Sequence, residues 1–397
     1  MIPASLATLL FLLWLAGNGT RLTILAIPPI IPQVRMDLGL SETEVGIVSG
    51  LPAVLFAFAA VPGALLIARF GALQTLIFGL LVGAAAAALR AISPDVFILY
   101  LTTIGAALGV SVMHVALPPL VREWLPQRIP FATAVYTNGL LVGEILPVAM
   151  MLPIVMPLVG GSWRAGLVVW AVPLVLIAVA LLAFAPRQQR TEGPATATPR
   201  RWWPDWHNGI IWRLGLMLGS INAIYFATNA FLPDYLHSLG RDDLITAALT
   251  ALNLGQLPAS LLLLAIAGRL QRRAWPYVAA AALSLIGFAG IFTGNGVWIV
   301  TGCTLLGFSA AGILVLMLAL PPMLSAPEDV PRTTAAMFTI SYSCAVIVPI
   351  ISGFAWDMTH VPAVAFIPIA LCPFVLAGFA LTFDFRSEKG WYVARPI

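Results

Sequence analysis

The amino-acid sequence predicts an all-α membrane protein: twelve transmembrane helices in two six-helix pseudo-repeat halves. Three observations carry that expectation: the composition, a series of twelve apolar runs, and an internal repeat. Of the 397 residues, 60% are hydrophobic and only 9% are charged, and the mean hydropathy is +0.99. An ordinary soluble protein carries about 25% charged residues. So few charges cannot cover a soluble surface. A soluble enzyme and a disordered chain are both excluded, and the solvent is lipid. The 33 Gly and 31 Pro suit helices that kink and pack closely, which a bilayer tolerates. They do not suit a barrel, whose strands alternate weakly over about ten residues.

A spanning helix needs roughly 20 apolar residues. The first-half runs lie at about 6–32, 43–68, 72–91, 95–120, 130–158 and 164–185. Those of the second half lie at about 209–235, 243–267, 275–293, 296–320, 332–354 and 361–383. Residues 1–17 lack the basic start and small-residue cleavage pattern of a signal peptide, and the apolar run continues past Arg21. They read as part of the first span. The one long polar stretch, 186–208, carries Arg187, Arg190, Arg200 and Arg201 and reads as a cytoplasmic linker. It ends in Arg200-Arg201-Trp202-Trp203-Pro204-Asp205-Trp206, a mixture typical of interfacial anchors. The expected organisation is a half at 1–185, a linker at 186–208 and a second half at 209–397.

With the N-terminus inside, 15 basic residues fall in inner segments and four in outer ones: Arg35, Arg90, Arg164 and Arg241. This asymmetry places both termini in the cytoplasm of a bacterial inner-membrane protein. The three cysteines, Cys303, Cys344 and Cys372, all lie in apolar runs and read as small core residues.

Displaced by 201 residues, the halves correspond. Pro32 meets Pro233 and Gly39 meets Gly240, while Pro130-Phe131-Ala132-Thr133-Ala134 meets Pro331-Arg332-Thr333-Thr334-Ala335. At a displacement of 203, Ala116-Leu117-Pro118-Pro119 meets Ala319-Leu320-Pro321-Pro322. Each match is weak alone. Their common order and nearly common offset indicate duplication, an arrangement known from transporters built of parallel repeats.

Two charges lie deep in the apolar runs, Arg21 in the first and Glu144 in the fifth. A lone charge at the bilayer centre costs ~2.5–3.5 kcal/mol on insertion scales. Each therefore needs a partner or a water-filled cavity, and pairing with each other is the economical solution. Trp14, Asn18, Arg21, Leu25 and Pro28 share one helical face, so Asn18 is placed to hold the guanidinium. Arg21 presents planar donors that match carboxylate-like oxygens, so it is the expected contact for an anionic or strongly dipolar solute. Glu144 is the expected coupling or gating group. His114, in the fourth run, can carry protons or touch the ligand. The second half has no deep charge. Its seventh run carries Asn222, Tyr225 and Asn229 on one face, and Tyr225 and Asn229 are the expected ligand contacts there. Such groups also serve as glue between helices.

These residues resemble the cyanate/2-nitroimidazole permease branch of the major facilitator superfamily. The resemblance rests on Asn18-Gly19-Thr20-Arg21 followed by Ile27-Pro28-Pro29-Ile30-Ile31-Pro32. It rests also on Ser49-Gly50-Leu51-Pro52, on Ala116-Leu117-Pro118-Pro119-Leu120-Val121-Arg122 and on Pro126-Gln127-Arg128. It implies the major facilitator fold and transport of small anionic or nitro-bearing solutes, with Arg21 as the anion contact. Two departures stand out. The loop after the second span reads Ala64-Leu65-Leu66-Ile67-Ala68-Arg69-Phe70-Gly71, without the acid of Gly-x-x-x-Asp-Arg-x-Gly. Glu144 also replaces a Gly-rich stretch of cyanate-type members, which leaves room for another small anion.

No nucleotide loop, catalytic constellation or zinc spacing is present, and His114, His207, His237 and His360 are scattered. No cofactor, metal or nucleic-acid partner is expected. The leading expectation is a monomeric secondary transporter of a small anion, working by alternating access with protons as the default coupling ion. The alternative is a proton-coupled exporter of hydrophobic or cationic drugs, with Glu144 as the cation site. A third reading is a sensor of transporter fold that binds without flux.

Overall fold

In the computed structural model, residues 5–40, 42–186 and 202–383 are described. The linker arginines Arg187, Arg190, Arg200 and Arg201 and the tail residues Arg386, Lys389 and Arg395 lie outside them. Among the described residues, twelve helical segments are long and apolar enough to cross a membrane. They run Leu6–Leu38, Gly50–Phe70, Ala72–Arg90, Val96–Trp124, Pro126–Leu158, Trp163–Phe184, Gly209–Ser238, Asp242–Leu270, Trp275–Phe292, Gly296–Leu324, Val330–Thr359 and Pro362–Thr382. We number them as spans one to twelve. The protein is an all-helical, multi-pass membrane protein.

Polar side chains begin these helices where the apolar sequence alone gives no start signal. Asp95, Ser162, Asn208 and Asn295 each accept a hydrogen bond from a backbone N–H of the first turn. Gly39 and Gly240 close the first and seventh spans with positive φ, which explains why these two positions correspond in the repeat. Large apolar side chains such as Phe58, Phe97, Leu176 and Ile350 are exposed, as lipid-facing residues must be.

The chain divides into two compact units, Met1–Pro204 with Pro327–Ala335, and Asp205–Ala326 with Ala336–Ile397. In the first unit, the first span packs against the fifth with backbones nearly touching. A Cβ on Gly17 would strike the carbonyl of Tyr136, and one on Gly139 the carbonyl of Trp14. A Cβ on Gly143 would meet the backbone of Asn18. Gly139 and Gly143 stand four residues apart, so one glycine-lined stripe of the fifth span receives the first span.

The first span is not one helix, as its apolar run suggests. It consists of α-helix Leu6–Gly19, a single turn Leu22–Leu25, a 3-10 turn Pro28–Ile30 and a further helix Ile31–Leu38. Prolines at 28 and 29 lack N–H groups, and their rings clash with the carbonyls four residues back, so the α ladder cannot continue. The chain tightens before them: Thr20 and Arg21 donate to Gly17 and Asn18, three residues back, at 3.1 Å each. The fifth span carries its own irregularity, a π-helical turn at Met151–Val155 just beyond Glu144. Such turns occur often at functional sites.

Candidate functional site

The broken first span and the glycine stripe set the geometry of the first unit's polar centre. The break places Arg21 at Thr20–Leu22 with its backbone out of the helical ladder. The close approach of the fifth span brings Glu144 beside it. Arg21 Nε lies 3.1 Å from Glu144 Oε1, and the two side chains are only 10% and 15% exposed. The Phe56 ring, from the second span, lies 6.0 Å from the Arg21 guanidinium carbon. His114, from the fourth span, stacks on the other partner of this group: its ring centroid is 5.5 Å from that of Phe56, with planes 22° apart. His114 is buried. Thus four elements of one unit bring a guanidinium, a carboxylate, an imidazole and an aromatic face together.

Asn18 does not reach for the guanidinium with its side chain. Its amide donates to the carbonyl of Trp14 at 3.0 Å, and Trp14 Nε1 donates to Asn138 Oδ1 at 3.1 Å. Asn18 instead contributes its backbone carbonyl, which accepts from Arg21 N–H. Asn18 stands in the last turn of the helix Leu6–Gly19, where its side-chain amide can take the carbonyl four residues back, and that local bond wins here.

The second unit gathers Tyr225 and Asn229 with Asn253 of the eighth span. Tyr225 donates its hydroxyl to Asn253 Oδ1 at 2.6 Å. Asn253 Nδ2 donates to Asn229 Oδ1 at 3.3 Å and to the Leu249 carbonyl at 2.8 Å. Asn229 Nδ2 donates to the Tyr225 carbonyl at 2.9 Å. The seventh and eighth spans are thereby joined by a ring of neutral groups. Asn222 makes a separate bond, donating to Ser341 Oγ of the eleventh span at 2.8 Å. Only the fold shows that Asn253 is the hub of this ring.

Arg90 too is placed differently from its sequence reading. Counted among the outer-loop bases, it ends the third span and is wholly buried. Its Nη1 donates to the carbonyl of Thr23 at 3.0 Å, inside the broken stretch of the first span. The apolar run of the third span ends there, which makes Arg90 look like the start of a loop. The neighbouring break supplies the carbonyl that draws it inward.

The loop that lacks the acid has a cleft beside it. Ala68, Arg122, Glu123 and Glu328, all of the first unit, help to line a space of about 590 Å³. Arg21 and Glu144 are not among its walls. Among the described residues, no cluster of three or more metal-ligating side chains is present.

Comparison with known proteins completes the description. The sequence model of the Major Facilitator Superfamily matches residues 9–349. The Cyanate transport protein CynX of Escherichia coli (strain K12) is 26% identical over 355 residues, covering 87% of this chain and 89% of that protein. The 2-nitroimidazole transporter of the same organism is 25% identical over 224 residues, 56% of each chain. Among solved structures, the proton:xylose symporter XylE bound to 6-bromo-6-deoxy-D-glucose aligns with a TM-score of 0.73 at 12% identity over 95% of both chains. FucP in the outward conformation aligns at 0.67 and 17% identity, over 96% of this chain and 98% of that one. At such identities the solved structures speak for the fold alone.

Proposed function

The chain belongs to the Major Facilitator Superfamily, and on that premise we propose that it moves a small anionic or strongly dipolar solute by alternating access, coupled to protons. As a member of that superfamily it is a transporter of small molecules, not an enzyme. The finer reading rests on one observation, the buried contact of Arg21 with Glu144 at the break of the first span. Relatives named for cyanate, a monovalent anion, and for 2-nitroimidazole, a strongly dipolar ring, support the same solute class.

Arg21 can give an anion the paired, charge-assisted hydrogen bonds that a planar guanidinium forms best. While Glu144 is ionised it competes for that guanidinium. A proton on Glu144 removes the competitor, so anion and proton bind together. The sign follows: anion affinity rises as pH falls through the range where Glu144 takes up its proton. His114, stacked on Phe56, is a second group able to carry a proton. Tyr225 and Asn229 are proposed as solute contacts of the second unit. The charge asymmetry supports cytoplasmic termini in an inner membrane; the proposal takes 1–185 and 209–397 as the two halves, 186–208 as their linker, and a monomer as the working unit.

Export of cations, the other reading of the sequence, requires Glu144 to be available to a cation, and its contact with Arg21 counts against that. The test is uptake of cyanate into proteoliposomes under an imposed inward proton gradient. Uptake stimulated by the gradient is expected for the natural chain, loss of uptake for Arg21→Gln, and uptake indifferent to the gradient for Glu144→Gln. Unchanged uptake by folded Arg21→Gln would overturn the assignment.

A further inference from the structure

A second buried arginine stands close to the same break, and it has no carboxylate. Arg90 is 0% exposed, and its Nη1 is spent on the Thr23 carbonyl. Its Nε and Nη2 are buried without a hydrogen-bond partner, and no acidic side chain pairs with it among the described residues. Thr23 and Ser93, respectively the residue whose carbonyl Arg90 grips and one three positions beyond Arg90, also bury hydroxyls without partners. Arg164 donates to the carbonyls of Ala91 and Ser93 at 3.3 and 2.7 Å, and its own charge is paired with Asp37 at 2.8 Å.

A guanidinium stays charged, and burying an unpaired charge is among the largest penalties in a folded protein. A charge kept inside a membrane domain without a protein partner implies a partner that the chain does not encode. For a cation with two vacant, adjacent donors, that partner is an anion. Nε and Nη2 form one edge of the guanidinium fork, an edge suited to a halide or to one end of a small linear anion. We propose that Arg90 holds a small monovalent anion at the end of the third span, as the counter-charge of the buried guanidinium and distinct from the contact at Arg21.

The anion has two possible sources: a resident halide, or the transported solute pausing beside the break. The experiment uses the full-length Arg21→Gln protein, so the Arg21 site is silent whatever the transported solute proves to be. Its thermal midpoint is measured as sodium gluconate is replaced, at constant ionic strength, by bromide or by cyanate. Saturable stabilisation by one of these anions is expected, with bromide marking a resident halide and cyanate alone marking the solute. Ligand binding raises the midpoint as the logarithm of concentration over Kd, on the order of a few degrees at tenfold excess. Adding Arg90→Gln should abolish the response. Adding Arg90→Lys, which keeps the charge but not the fork, should weaken it at least tenfold and serves if the glutamine variant does not fold. An Arg21→Gln protein indifferent to every anion, or a response that survives both Arg90 changes, overturns the proposal.

Discussion

Equivalent seams of the two halves solve the same packing problem with opposite sets of residues. In the first half the glycines of the fifth span, Gly139 and Gly143, admit the backbone of the first span. Under the 201-residue offset these positions are Ile340 and Cys344 in the second half. There the small residues have changed sides: Gly215 and Gly219 of the seventh span lie against the side chains of Ile340 and Cys344. The polar contact at the end of each seam has diverged as well. Arg21 and Glu144 form an ion pair, while their counterparts are Asn222 and Ala345, and Asn222 bonds Ser341 instead. The helices differ for a local reason. Pro28 and Pro29 break the first span, whereas Asn229 and Ala230 let the seventh run unbroken from Gly209 to Ser238. The carbonyl released by the break receives Arg90, whose counterpart is the buried Ile291. Duplication kept the packing and let one half become charged and broken while the other stayed neutral and continuous.

Changes at the seams probe that contrast, beginning with the largest. Glu144→Ala leaves Arg21 buried without its carboxylate and should cost about 3–5 kcal/mol of stability, seen as a fall in the thermal midpoint. Copying the second half at both positions, Arg21→Asn with Glu144→Ala, removes the orphaned charge. The double variant should be more stable than Glu144→Ala alone, and equal loss in both would show that the pair is not coupled. Gly143→Ala should cost about 1–3 kcal/mol, because the new Cβ meets the backbone of Asn18, which cannot yield as a flexible side chain would. Gly312→Ala, in open space in the second half, should leave the midpoint unchanged. Asn222→Ala should give the smallest of the losses, roughly 0.6 kcal/mol, the usual worth of a neutral hydrogen bond between membrane helices. A loss as large as that of Glu144→Ala would erase the difference between the halves.

Hydropathy made the number of spans legible, because each must match the bilayer whatever its neighbours are. The depth of Arg21 and Glu144 was equally plain, since no polar residues surround them in sequence. Their contact followed from cost rather than from pattern. The break was harder to see. Pro28 and Pro29 stand in an apolar run that reads as continuous, and prolines at Pro118 and Pro119 lie within an unbroken fourth span. What a proline does in a membrane depends on who takes the released carbonyl. The same dependence hid Arg90, whose burial is set by Thr23, 67 residues earlier. The glycine stripe and the Tyr225–Asn253–Asn229 ring were also obscure. These helices are apolar on nearly every side, so periodicity does not reveal which face meets another helix.

Equilibrium binding of cyanate to purified protein at two pH values, for the natural chain, Arg21→Gln and Glu144→Gln, tests the Arg21–Glu144 switch most directly. The natural chain should bind more tightly at the lower pH, Glu144→Gln should bind tightly at both, and Arg21→Gln should bind at least tenfold more weakly. Natural affinity in folded Arg21→Gln, or pH dependence that survives Glu144→Gln unchanged, would contradict it.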